Sequence, residues 1–196
     1  EENSRKADRM KIGIYGGSFN PPHLGHVRAA QACKRALGLE RVLVIPASIP
    51  PHNQMARGSA TSVERLKLTK LAFSQLPGFE VLDMELRREG KSYTVDTIRA
   101  LKAQYKQSDL YLMMGTDMFL SFQDWYCPEE IAKNARLVCF SRYDADAKNR
   151  ESLLKQADTL EAQFGERPVL LENDCFDISS TEARRLLRLG IAAPYL

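Results

Sequence analysis

Histidine is scarce in this 196-residue chain, with three in all, and there is a single tryptophan. The four cysteines, Cys33, Cys127, Cys139 and Cys175, are widely spaced and form no Cys-x-x-Cys pair. Two of them lie in apolar stretches, where a thiol acts as a small hydrophobe, so a reduced, cytoplasmic protein is the simplest expectation. No stretch approaches the roughly 18 apolar residues that span a bilayer, and the charged first ten residues have no apolar core, which argues against a membrane anchor and a secretion signal. An excess of one charge is missing too: 28 Lys plus Arg against 25 Asp plus Glu leave +3, too little to require nucleic acid as a partner. There are no repeats and no low-complexity linker.

What is present is globular: 44% hydrophobic and 27% charged residues exclude disorder and collagen. The length suits one domain that buries about 70% of its unfolded surface. Met10 reads as a natural start, so residues 1–9 are expected to be a disordered or appended tail and residues 10–196 a single domain.

Residues 11–15 (KIGIY) are short, apolar and β-branched, and the turn-rich GGSFNPP leads from them into a 3.6-residue pattern over 24–37, ended by Gly38. Residues 41–45 (RVLVI) form a second apolar run, giving a βαβ unit with parallel strands. Thr61 and Glu64 have the form of a capping box, and Val63, Leu66 and Leu71 are expected to mark the apolar face of the helix that follows. Strands are predicted at 79–82, 110–114, 136–140 and 169–171. Helices are predicted from a Thr94 cap, within the polar stretch 143–165, and from Ser179 or Ser180 to Leu189. Alternation over the whole chain predicts an α/β fold: a Rossmann-like open, mostly parallel sheet with helices on both faces.

The strongest motif lies between the first strand and the first helix: Gly16-Gly17-Ser18-Phe19-Asn20-Pro21-Pro22-His23-Leu24-Gly25-His26. Adjacent glycines let the backbone approach a ligand, and a helix start offers unpaired N–H groups to phosphate oxygens. His23 and His26, three apart on the first turn, share a face over the same anion site. Tyr15 stands where a dinucleotide fingerprint begun at Gly13 needs its second glycine, and no Gly-Lys-Ser/Thr follows to make a Walker loop.

These residues resemble the HxGH nucleotidyltransferases, and within them the nicotinate-mononucleotide adenylyltransferase family. Further similar segments follow in order: Ile49-Pro50-Pro51-His52, Ser62 to Arg65, Ser92-Tyr93-Thr94, Gly115-Thr116-Asp117, Trp125-Tyr126, and Ile178-Ser179-Ser180-Thr181 with Arg184. The resemblance spans Met10 to about Gly190. It implies adenylyl transfer from ATP to nicotinate mononucleotide, giving deamido-NAD and pyrophosphate, with Mg²⁺ bound through the phosphates and not by protein side chains. His23 and His26 take the catalytic role. Gly16, Gly17, Ser18, Phe19, His26, Gly115, Asp117, Ile178, Ser179, Ser180 and Arg184 are then the ATP-binding set, and Asn20, His52, Arg65, Tyr93, Thr94, Trp125 and Tyr126 the acceptor-binding set.

The residues by themselves leave alternatives open. His23 and His26 can be read as helix caps or, with His52, as zinc ligands, although zinc leaves the glycine-rich loop unexplained. His52 fits a pocket wall or a solvated loop equally well. Asp117 reads as a ribose contact or an N-cap, and Trp125, in polar surroundings, as an exposed ring for a pyridinium cation or as packing under a loop. Arg65 faces phosphate or solvent with equal weight. Imidazoles beside a triphosphate are expected to be protonated. Asn53 stands where the family usually has a basic residue, and the family usually continues with a further helix where this chain stops at Leu196. The proline-bearing loop 47–60 is expected to be mobile. Rival activities are a pantetheine-phosphate adenylyltransferase, a non-catalytic nucleotide-binding module of the same fold, and a synthetase-related nucleic-acid-binding fragment.

Overall fold

A computed structural model describes residues 9–48, 59–142, 147–173 and 179–191. Six strands, β1 (Lys11–Gly17), β2 (Arg41–Pro46), β3 (Phe79–Val81), β4 (Asp109–Gly115), β5 (Arg136–Arg142) and β6 (Val169–Asn173), form one sheet in the order β3-β2-β1-β4-β5-β6. Every pairing is parallel. The helices are α1 (Leu24–Leu37), α2 (Ser62–Phe73), α3 (Thr94–Gln104), α4 (Thr116–Leu120), α5 (Pro128–Asn134), α6 (Ala147–Phe164) and α7 (Ser180–Arg188), with a 3₁₀ turn at Phe122–Asp124.

The strands read as continuous apolar runs because both faces of the sheet are buried. Ile12, Ile14, Leu43, Ile45, Leu112 and Leu137 pack on one face with Val95, Ile98, Phe119, Ile131, Ala157 and Leu160. Tyr15, Val42, Val44, Met113 and Val138 pack on the other with Ala30, Cys33 and Phe73. The period of two thus divides each strand between two cores. Gly13 has no room for a side chain: a Cβ there would lie 2.8 Å from both Leu39 Cδ1 and Met113 Sδ. At the end of α1, Gly38 takes the left-handed conformation (φ 62°), and Leu39 N–H reaches back to the Lys34 carbonyl.

One predicted helix face is corrected. The Thr61–Glu64 capping box forms, but Val63 and Leu71 are 62% and 78% exposed, and α2 turns Arg65, Thr69 and Phe73 inward. Polar inward residues make the apolar ones a misleading guide, since Arg65 donates to loop carbonyls and Thr69 Oγ1 to the Arg65 carbonyl. Thr94 is the first residue of α3, and Tyr93 occupies the cap position. Helices α4 and α5 were not anticipated. Each is two turns or fewer, too short to show a period, yet Phe119 and Ile131 bury fully.

With strands β2 and β3 on one side of β1 and β4 to β6 on the other, chain direction across the sheet reverses between β1 and β4. Ligands of such sheets bind outside the carboxyl ends of the strands at that switch point. The loop after β1 and the Gly115–Asp117 segment after β4 both lie there.

Candidate active site

The loop after β1 is held from beneath. Phe19, 1% exposed, adopts a left-handed backbone (φ 43°) and sets its ring edge-on to Tyr15, Phe73 and the His26 imidazole, with centroids 5.4, 6.0 and 5.3 Å away. Phe19 is therefore the floor of the loop, and its side chain is committed to the protein. The Asn20–Pro21 peptide is cis.

His23 and His26 come together as the spacing predicted, with ring centroids 3.8 Å apart and planes 36° from parallel. His23 occupies the N-cap of α1, and its backbone N–H donates to His26 Nδ1 at 3.2 Å. That bond fixes the neutral His26 ring with its proton on Nε2, and no described residue accepts from Nε2. The ring is both a cap and a donor held ready for a ligand. Burial, and second the neighbouring His23, push the His26 pKa down from 6.5 to about 3. Two positive rings at this separation would repel by about 4 kcal/mol at an effective dielectric near 20. The expectation of protonated imidazoles thus does not describe His26 in the ligand-free site; it requires the negative charge of a bound triphosphate.

Asn20, expected to touch the acceptor, is 5% exposed and committed to the protein. Its Nδ2 donates to Ser59 Oγ (2.7 Å), its Oδ1 accepts from Ala60 N–H (3.3 Å), and its carbonyl accepts from Arg184 Nη1 (2.6 Å). It ties the start of α2 and the start of α7 to the phosphate loop. Ser180 Oγ adds a bond to the Pro21 carbonyl (2.9 Å), while Ser179 Oγ caps α7 by accepting from Glu182 N–H. The hydroxyls, N–H groups and guanidinium that begin α7 are thereby set beside the loop after β1, 159 residues away in sequence. A cavity of about 640 Å³ flanks this junction, lined by Glu64, Lys67 and Leu68 of α2 and by Arg184, Leu187 and Arg188 of α7.

Arg65 meets neither of its two expected fates. At 1% exposure it is shut off from solvent, and its guanidinium donates to the carbonyls of Ser18 and Ala47 (2.7 Å each) and Ser48 (3.1 Å). Its assignment to the acceptor-binding set is therefore corrected.

On the far side of the switch point, Gly115 is the N-cap of α4 and Asp117 sits exposed in its first turn, so Asp117 is not the cap. Trp125 also departs from expectation: the ring is partly buried, packed against the core with Phe122 at 5.2 Å. The exposed aromatic is Tyr126, 57% accessible, whose ring lies 4.8 Å from that of Tyr93. Tyr93 and Thr94 begin α3, so an aromatic pair stands at a helix N-terminus. His52, Asn53 and Ile178 lie outside the described residues, as does most of the loop 47–60. Sequence reading missed the buried Glu85, which accepts from Thr97 Oγ1 at 2.6 Å. Its one signal was an acidic residue within the segment leading to Ser92-Tyr93-Thr94.

A parallel sheet of this order, with a glycine-rich loop opening onto two imidazoles 3.8 Å apart and a second helix start docked upon it, has the fold and site arrangement of a nucleotidyltransferase. The cytidylyltransferase-like family model matches residues 14–186. A protein of Geobacter sulfurreducens named "Probable nicotinate-nucleotide adenylyltransferase" is 40% identical over 95% of this chain and 91% of its own length. One of the same name from Dictyoglomus thermophilum is 38% identical, over 95% and 92%. Among solved structures, Plasmodium falciparum nicotinic acid mononucleotide adenylyltransferase, complexed with APC in one and with NaAD in another, superposes with a TM-score of 0.69 at 19% identity, covering 91% of this chain and 84% of that one. The chain belongs to the nicotinate-nucleotide adenylyltransferase family, within the cytidylyltransferase-like nucleotidyltransferases.

Proposed function

We propose that this protein transfers the adenylyl group of ATP to nicotinate mononucleotide in the cytoplasm, giving deamido-NAD and pyrophosphate for NAD biosynthesis. The observation that carries the reading is the pair of stacked imidazoles at the start of α1, with His26 locked as an Nε2–H donor over a glycine-rich loop. A phosphate oxygen of the mononucleotide attacks the α-phosphorus of ATP, the bond to the bridging oxygen breaks, and pyrophosphate leaves with the electron pair. The attacking phosphate is already anionic, so the protein needs donors and alignment in place of a general base.

In this reading the Gly16 to Phe19 backbone and His23 and His26 meet the α- and β-phosphates, and Ser179, Ser180 and Arg184 the β,γ end. Gly115 and Asp117 hold the adenosine. The N–H groups at the start of α3, from Tyr93 and Thr94, suit the nicotinate carboxylate. Tyr126 with Trp125 offers ring faces to the pyridinium. The donor set of the loop, amide, imidazole and guanidinium, fits phosphate oxygens, so magnesium would arrive with ATP and neutralise charge from its oxygens.

Replacing Tyr126 by Ala is expected to raise KM for nicotinate mononucleotide about tenfold, within the range of a cation–π contact, while KM for ATP changes little. Trp125→Ala is expected to raise the same KM and to lower the melting temperature as well, because its ring packs on the core. Initial rates against each substrate, with thermal melts, check both. The activity itself is tested by incubating the protein with ATP, Mg²⁺ and, in separate reactions, nicotinate mononucleotide, nicotinamide mononucleotide or phosphopantetheine. The dinucleotide with a free carboxylate is the expected principal product. Preferential adenylylation of phosphopantetheine, or tight ATP binding with no transfer, would overturn the reading.

A further inference from the structure

A buried polar chain that ends on the reactive loop starts at Arg65. Its fork spans two loops, with Nη1 on the Ser18 carbonyl after β1 and on the Ala47 carbonyl after β2, and Nη2 on the Ser48 carbonyl. Among the described residues it has no carboxylate partner, and its Nε has no acceptor. Ser48 N–H donates to Ser92 Oγ at 3.1 Å. Ser92 directly precedes Tyr93, the N-cap of α3, and the buried carboxyl of Glu85 accepts from Thr97 on the same helix. The chain therefore runs from the phosphate loop to the residues that open α3. Burying a guanidinium against neutral carbonyls is a costly way to fill space, and an apolar side chain would serve packing better. What an arginine supplies here is a rigid planar fork that holds two loops at a fixed distance.

We propose that Arg65, with the Ser48–Ser92 link it heads, is a positioning residue for adenylyl transfer. It fixes the loop that carries the ATP phosphates against the elements that carry the acceptor, so that the attacking oxygen and the α-phosphorus stay in line, while touching neither substrate. This rests on the adenylyl-transfer reading above.

The test compares wild-type protein with Arg65→Lys and Ser92→Ala in kcat, in KM for both substrates, and in melting temperature. Lysine keeps the charge but a single ammonium cannot span three carbonyls. The expected result is a kcat lower by about 10- to 100-fold, the scale on which a misplacement of about 1 Å acts, with both KM values within about threefold of wild type. Ser92→Ala, a milder change at the far end of the same buried chain of bonds, is expected to lower kcat about three- to tenfold at a temperature where it is fully folded. It decides the matter alone if the lysine variant does not fold. Wild-type kcat in a folded variant with only a lower melting temperature would overturn the proposal in favour of a purely structural arginine. A selective rise in one KM at unchanged kcat would overturn it in favour of a ligand contact. Absence of dinucleotide from the wild-type protein would instead sink the functional reading on which the proposal stands.

Discussion

His26→Ala is expected to lower kcat/KM for dinucleotide formation about a thousandfold, equivalent to about 4 kcal/mol of transition-state stabilisation, with most of the loss in kcat. The magnitude follows from the geometry. His26 Nδ1 is occupied by the His23 N–H, so the ring's only donor is Nε2–H, held in place by Phe19, Tyr15 and His23 on its faces and edges. A donor fixed before the reaction gains most where charge builds, on the oxygens of the transferring phosphorus and the leaving pyrophosphate, and alanine removes it without a substitute. The remaining donors, the loop amides and the start of α7, leave a residual rate above background. Steady-state pyrophosphate release measures the loss. A reduction of less than about tenfold would show that the imidazole is only a helix cap.

The same burial makes His26 an acid-sensitive element of the fold. In the unfolded chain the imidazole takes up a proton as pH falls through 6.5, whereas the folded ligand-free site refuses it until about pH 3. Stability contributed by the neutral ring is therefore complete above pH 6.5 and is lost progressively as pH falls from there towards 3, at up to about 1.4 kcal/mol per pH unit. Between pH 8 and pH 5 the loss attributable to this one residue is about 2 kcal/mol. Urea unfolding of wild type and His26→Gln at both pH values isolates it. The difference in stability between the two proteins is expected to change by about that amount, and parallel pH profiles would contradict it.

How much of this was legible in the sequence depends on how local the determinant was. The strands stood out because both faces are buried and their apolar runs are unbroken, and the phosphate loop because His23 and His26 are only three residues apart. Arg65 and Asn20 were misjudged for the opposite reason. Their partners include backbone carbonyls and amides distant in sequence, at Ser18, Ala47 and Ala60, and no residue pattern announces a backbone group as a partner. The face of α2 was misread with them, since two hydrogen-bonding side chains displaced Val63 and Leu71 to the surface. The exposure of Trp125 was inferred from the polar residues beside it, while its ring is held by Phe122, three residues earlier in a 3₁₀ turn too short to predict.

The proposed reaction is a single in-line displacement at the α-phosphorus of ATP, made by aligned donors with no adenylylated protein on the way. It is tested most directly by giving the protein ATP made chiral at the α-phosphorus by sulfur substitution, together with nicotinate mononucleotide, and determining the configuration at that phosphorus in the dinucleotide. Direct transfer between the two substrates predicts inversion. Retention, the mark of two successive displacements through a covalent adenylyl-protein, would contradict it.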